Sequence, residues 1–126
     1  MPVRKSFVSI AGVALLALML LASACGSSSS GDASGVAQGV EGVPDGSPFI
    51  DQHNLRFNPK SLTTSAGEEV YFKNSETTIH TVTIDGKNES GTMNRNDVFT
   101  WTPPGPGTYK ITCEFHPQMK AAITVQ

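Results

Sequence analysis

Gly107-Thr-Tyr-Lys-Ile-Thr-Cys113-Glu-Phe-His116-Pro-Gln-Met119-Lys-Ala-Ala-Ile-Thr-Val-Gln126 is two alternating runs joined by a short, chemically loaded connection. Tyr109, Ile111 and Cys113 fall on one face of the first run. Ala121, Ile123 and Val125 fall on one face of the second. Alternation of this kind is the mark of half-buried β-strands. Cys113 closes the first strand, His116 sits in the turn and Met119 lies where the chain re-enters a strand. Pro117 fixes its own φ and restricts His116.

Working outward, short alternating runs recur between breaks rich in Gly, Pro, Asn and Asp. They predict strands at Phe49–Phe57, Ser61–Ser65, Glu69–Asn74, Ile79–Asp85, Asp97–Trp101, Gly107–Cys113 and Lys120–Gln126. No helical periodicity of useful length is present. Residues 86–96 read as an irregular connection. The pattern is that of an all-β sandwich, and residues 48–126 suffice for one core.

Alternation also places the polar residues. Val70, Phe72 and Asn74 share a face, with Tyr71 and Lys73 opposite. His80, Val82 and Ile84 share a face, with Thr81, Thr83 and Asp85 opposite. Each apolar face thus carries one polar or metal-binding residue at one end: Asn74, His80 and Cys113. Antiparallel first and second strands, with the third parallel to the first, bring these ends to one pole beside His116 and Met119.

One thiolate (Cys113), two imidazoles (His80 and His116) and one thioether (Met119) form the donor set of a trigonal copper site with a weak axial methionine. Thiolate and thioether suit Cu(I) and imidazole suits Cu(II), so one ion can serve both states. Zinc is the rival metal, but its structural sites take four nitrogen or thiolate donors, and a thioether is a poor fourth. A Cys–His nucleophilic enzyme would need an oxyanion hole and a third orienting group; no motif for either is present. His53 reads as a surface or edge residue, Met93 as packing, and Trp101 as packing on the core or its lower edge.

The first 24 residues read as a targeting segment. Arg4 and Lys5 precede an apolar run from Phe7 to Leu21, and small residues lead to Cys25. This is a secretory signal, and the cysteine after the small residues resembles a bacterial lipobox with Cys25 lipidated. An uncleaved anchor is the rival, although about 15 apolar residues fall short of the about 20 a span needs. Paired cysteines in an exported chain otherwise suggest a disulfide. With Cys25 lipidated, Cys113 is a lone thiol suited to a metal. Residues 25–47, rich in Gly, Ser and Ala, read as a flexible tether. From Cys25 onward 7 Lys and Arg stand against 11 Asp and Glu, a net charge of −4. Nothing in that balance suggests nucleic acid as a partner.

The sequence resembles the cupredoxins, small blue-copper proteins, and most nearly their amicyanin and plastocyanin-like branch. The resemblance runs from Asn54 to Val125. It is carried by Leu55-Arg-Phe57-Asn-Pro59, Gly67-Glu-Glu-Val70-Tyr-Phe72-Lys-Asn74, His80-Thr-Val82, Gly107-Thr-Tyr109 and Cys113-x-x-His116-x-x-Met119. It implies a Greek-key sandwich of about eight strands. It also implies one-electron transfer rather than an enzymatic reaction, with His80, Cys113 and His116 as equatorial ligands and Met119 as the axial one. Asn74 matches a residue that ties the ligand loop to the neighbouring strand, and the Thr81 N–H matches a donor to the cysteine sulfur. Glu114-Phe115 departs from the Thr-Pro of amicyanin, which frees the Phe115 N–H as a second donor to Cys113. That leads us to expect a lower potential in Phe115→Pro. With the lipobox reading of Cys25, the expected carrier is a monomer, lipid-anchored outside the cytoplasmic membrane, meeting redox partners transiently near His116. Copper trafficking, buffering or resistance is the alternative.

Overall fold

The computed structural model describes residues 35–126. The signal segment, Cys25 and the first part of the expected tether lie outside them. Among the described residues nine strands form: β1 Phe49–His53, β2 Arg56–Asn58, β3 Ser61–Thr64, β4 Val70–Asn74, β5 Thr83–Ile84, β6 Lys87–Asn88, β7 Val98–Trp101, β8 Gly107–Thr112 and β9 Lys120–Val125. They make two sheets, ordered β2-β1-β4-β7 and β3-β9-β8-β5-β6. The chain passes repeatedly between the sheets, so β1 pairs parallel with β4 and β3 parallel with β9. The expected all-β sandwich stands, with one strand more than expected.

Three departures have local causes. The run expected as one strand over Phe49–Phe57 folds back at Asn54 and Leu55, both with positive φ (52° and 55°). It becomes the β1–β2 hairpin. The strand expected over Ile79–Asp85 is a true ladder only at Thr83–Ile84, while His80 forms an isolated bridge with Met93. Lys87–Asn88, expected within an irregular connection, pairs with β5.

Ile50, Phe57, Val70, Phe72, Val82, Ile111 and Ile123 are essentially inaccessible and form the core between the sheets. Burial of such side chains stabilises the fold by about 1.5–3 kcal/mol each. Trp101 packs at the margin of this core, edge-on to Tyr109 at 5.0 Å.

Residues 35–47, expected as tether, belong to the folded body. Ala37 is fully buried and Val43 nearly so. The segment closes on itself through Ala37 N–H to Ser47 O (2.9 Å) and Gly46 N–H to Ala37 O (2.9 Å), and Phe49 N–H donates to Gly35 O. It also explains Lys73, which alternation places on the outer face yet is 7% exposed. The Lys73 ammonium donates to Glu41 O at 2.9 Å, so a polar head beneath the segment keeps a partner. Composition misled here because a few small apolar residues can cover a sheet without an alternating pattern. At Gly35, φ is +64°, a conformation that favours glycine, and a Cβ would approach Leu62 Cδ1 to 2.6 Å and force that side chain to move.

Candidate metal centre

The alternation argument for a shared pole survives, although β4 lies in one sheet and β5 and β8 in the other. His80, Cys113 and His116 bring one ligand atom each within 4.8 Å of one another. Cys113 Sγ lies 3.8 Å from His80 Nδ1 and 3.6 Å from His116 Nδ1. The two rings meet edge-on at 5.0 Å. Cys113 follows β8 directly and is buried with a free thiol. His116 is half-buried. The Met119 N–H donates to His116 O at 2.9 Å, closing the turn, and Met119 is buried at its end. Met93 is buried as packing, and His53 is exposed on its strand.

Each ligand is held from behind. Thr81 N–H points at Cys113 Sγ (3.4 Å), as the resemblance implies. Thr81 Oγ1 accepts from Glu114 N–H (2.9 Å) and lies 3.1 Å from Thr83 Oγ1. These contacts explain why Thr81 and Thr83 are buried although alternation placed them outward. Gln52 reaches from the other sheet, its Nε2 donating to Thr81 O at 3.2 Å.

Asn74 braces the His80 side of the centre. Its Nδ2 donates to Thr78 O (2.8 Å) and Met93 O (3.0 Å), and its Oδ1 accepts from Glu76 N–H (3.0 Å). The resemblance placed this tie on the loop carrying Cys113 and His116. It falls on residues 76–80 and the His80–Met93 bridge, because Thr78 O and Met93 O are the acceptors in reach. Phe115 is exposed, and among the described residues its N–H is not a donor to Cys113 Sγ. The expected drop in potential for Phe115→Pro therefore has no hydrogen bond to act through.

Sequence reading missed Glu76. Its Oε1 lies 2.6 Å from His80 Nε2. The same carboxylate accepts from Asn54 N–H (3.1 Å) and Leu55 N–H (3.0 Å) in the β1–β2 turn. An ionised carboxylate only accepts, so Nε2 donates to Glu76, and Nδ1, the nitrogen that faces the sulfur, is the one placed to bind a metal. A carboxylate behind a ligating histidine fixes both tautomer and ring orientation. The one signal in the sequence is the four-residue spacing of Glu76 and His80.

Burial opposes ionisation of Glu76. The Leu55 N–H, the His80 ring and the Asn54 N–H outweigh it, and the carboxyl lies below its ordinary pKa. A depressed carboxyl contributes stability in full above its unfolded pKa, about 4.3 for Glu. That contribution fades as pH falls through the folded value. Glu76→Gln should therefore be less stable than the parent at pH 6, with the difference shrinking toward pH 3. Thermal melts of the metal-free proteins across that range check it; a constant difference would remove the ionised contact.

The donor set fits one copper ion. Two imidazole nitrogens aimed at one thiolate, with a methionine at the end of the same turn, match the trigonal geometry with a weak axial thioether. When bound, the ion supplies a one-electron couple. The chain's own residues hold the donors in place and keep water from His80 and Cys113, which are both buried.

Sandwich and site together define a class. The model of the cupredoxin-like domain family matches residues 12–125, and the chain belongs to that family. Amicyanins are among the proteins it is similar to. Amicyanin-alpha of Methylorubrum extorquens is 29% identical over 100 residues, covering 75% of this chain and 84% of the relative. A structure of the reduced state of an amicyanin proline-to-phenylalanine variant superposes with a TM-score of 0.62 at 25% identity, covering 68% of this chain and 87% of that one. Amicyanin from Paracoccus versutus gives 0.63 at 24% identity, covering 68% and 86%, a likeness of fold.

Proposed function

We propose that the protein is a blue-copper carrier of single electrons outside the cytoplasmic membrane, anchored through a lipid on Cys25 and working as a monomer. The observation that supports it most is the convergence of His80, Cys113 and His116 on one buried point. Ligands fixed on strand ends and braced by Glu76, Asn74 and Thr81 suit both oxidation states with little rearrangement, as electron transfer needs. The same bracing disfavours ready release of the metal, and so counts against trafficking. Redox partners meet the chain transiently near His116, where the neighbouring Phe115 (46% exposed) offers a small apolar surface. Small interfaces suit such encounters.

The test is an absorption spectrum of the exported chain after adding Cu(II). An intense visible sulfur-to-copper band, bleached by reductant, is expected. A colourless protein that holds only zinc or Cu(I) would overturn the reading.

A further inference from the structure

The basic and acidic side chains are unevenly spread over the domain. Residues 35–126 carry 7 basic and 10 acidic side chains. Asp45, Glu68 and Glu69 gather around the start of β4, away from the Asn74 end. Arg56, Lys60 and Lys120 instead border one shallow concavity of about 220 Å³, together with Leu55 and Gln118, and Met119 lies in its wall. His53 pairs across the hairpin with Arg56, and Lys60 O accepts from Ala122 N–H at 2.9 Å, next to the start of β9.

Among the described residues the ion pairs are Glu76–His80 and Lys87–Glu89. None of the three cations is neutralised by one. Glu114 on the ligand loop turns the other way, accepting from Asn88 Nδ2 at 2.8 Å beside β6. Arg56, Lys60 and Lys120 thus lie along the β2–β3 edge of the metal pole and Glu114 lies by β6, while the Glu76 carboxylate is held by Asn54 N–H, Leu55 N–H and His80. The face also adjoins a ligand: Leu55 N–H and His80 share the Glu76 carboxylate.

We propose that Arg56, Lys60 and Lys120 form an oriented docking face for a carboxylate-rich surface of an acidic redox partner. This rests on the electron-carrier reading above. Complementary charge raises encounter rates and fixes orientation more than it adds affinity, which suits a transient carrier. Three cations around a concavity beside Leu55 fit a shaped protein surface better than a lipid sheet. The chain also enters the fold by Gly35, at the end of β1 remote from Asn74.

Two measurements test the face. Hexaglutamate titrated into the isotope-labelled, metal-free protein at low salt should shift amides of residues 55–60 and 118–120, and the shifts should fade with added salt. No shifts, or shifts centred on Arg95 or Lys110, overturn the proposal. So does binding to phosphatidylglycerol vesicles without hexaglutamate binding.

In the second, the copper-loaded, reduced chain gives one electron to hexacyanoferrate(III), yielding Cu(II) and hexacyanoferrate(II). Replacing all three cations (Arg56→Gln, Lys60→Gln, Lys120→Gln) should slow this reaction about tenfold at low ionic strength. The rate with cationic tris-phenanthroline cobalt(III) should be unchanged or faster. Slowing with both oxidants, or with neither, overturns the proposal. Absence of the copper band would sink the carrier reading alone, since the hexaglutamate titration needs no metal.

Discussion

Cys113→Ala should abolish the intense visible band expected of the copper-loaded protein and leave the sandwich folded. The band is charge transfer from thiolate to copper, and Cys113 carries the one thiol among the described residues. Losing a partner behind a ligand weakens metal binding about 10–100-fold, so losing the thiolate itself should exceed that. The cost in fold stability is that of removing one buried sulfur, about 1–2 kcal/mol. Titration with Cu(II) under parallel circular dichroism reads both effects. An intense visible band that persists in the variant would place the copper elsewhere.

Asn74→Ala should be the most destabilising single change near the centre that spares every ligand. The side chain is fully buried and makes three hydrogen bonds, to Thr78 O, Met93 O and Glu76 N–H. Each buried group left unsatisfied costs about 1–3 kcal/mol. Two carbonyls relax toward other partners more easily than an N–H does, so about 3 kcal/mol in all is expected. At a typical urea dependence for a small domain, this lowers the midpoint by about 2 M. The variant should also bind copper more weakly, because the braced segment carries Glu76 and His80. A loss below about 1 kcal/mol would mean that the segment holds itself in place and Asn74 merely fills space.

The centre was readable in sequence to the extent that its chemistry lies on strand ends. Cys113, His116 and Met119 share one connection between two alternating runs, and His80 heads a third, so period-two geometry with assumed strand directions brings them together, although only Thr83–Ile84 of that third run is a strand. Thr81 was reached through resemblance, and the structure keeps its bond to the sulfur. Glu76 was not readable in the same way. It lies in Ser75-Glu-Thr-Thr-Ile79, which has no period, and its contact with His80 depends on the course of that loop. Its other two bonds depend on a turn at Asn54-Leu55, where two residues other than glycine take positive φ. No Gly or Pro announces that turn, so the run through Phe57 read as one strand. The covering segment 35–47 was missed for a related reason. It packs by a few small side chains and backbone hydrogen bonds, which composition cannot distinguish from a linker.

That covering segment sets the height at which the centre would stand above a membrane. Nine residues lie between Cys25 and Gly35, and the ten Cα–Cα steps can span at most about 35 Å. A tether running to Ser47 would have had more than twice that length. Gly35 stands beside Phe49, while Gln52 at the other end of β1 pairs with Asn74 under the ligands. A lipid on Cys25, as proposed, would hold the protein close to the bilayer with its copper end turned outward. The protein would then work as a fixed post, met by diffusing partners or by neighbours in the same membrane, with little range of its own.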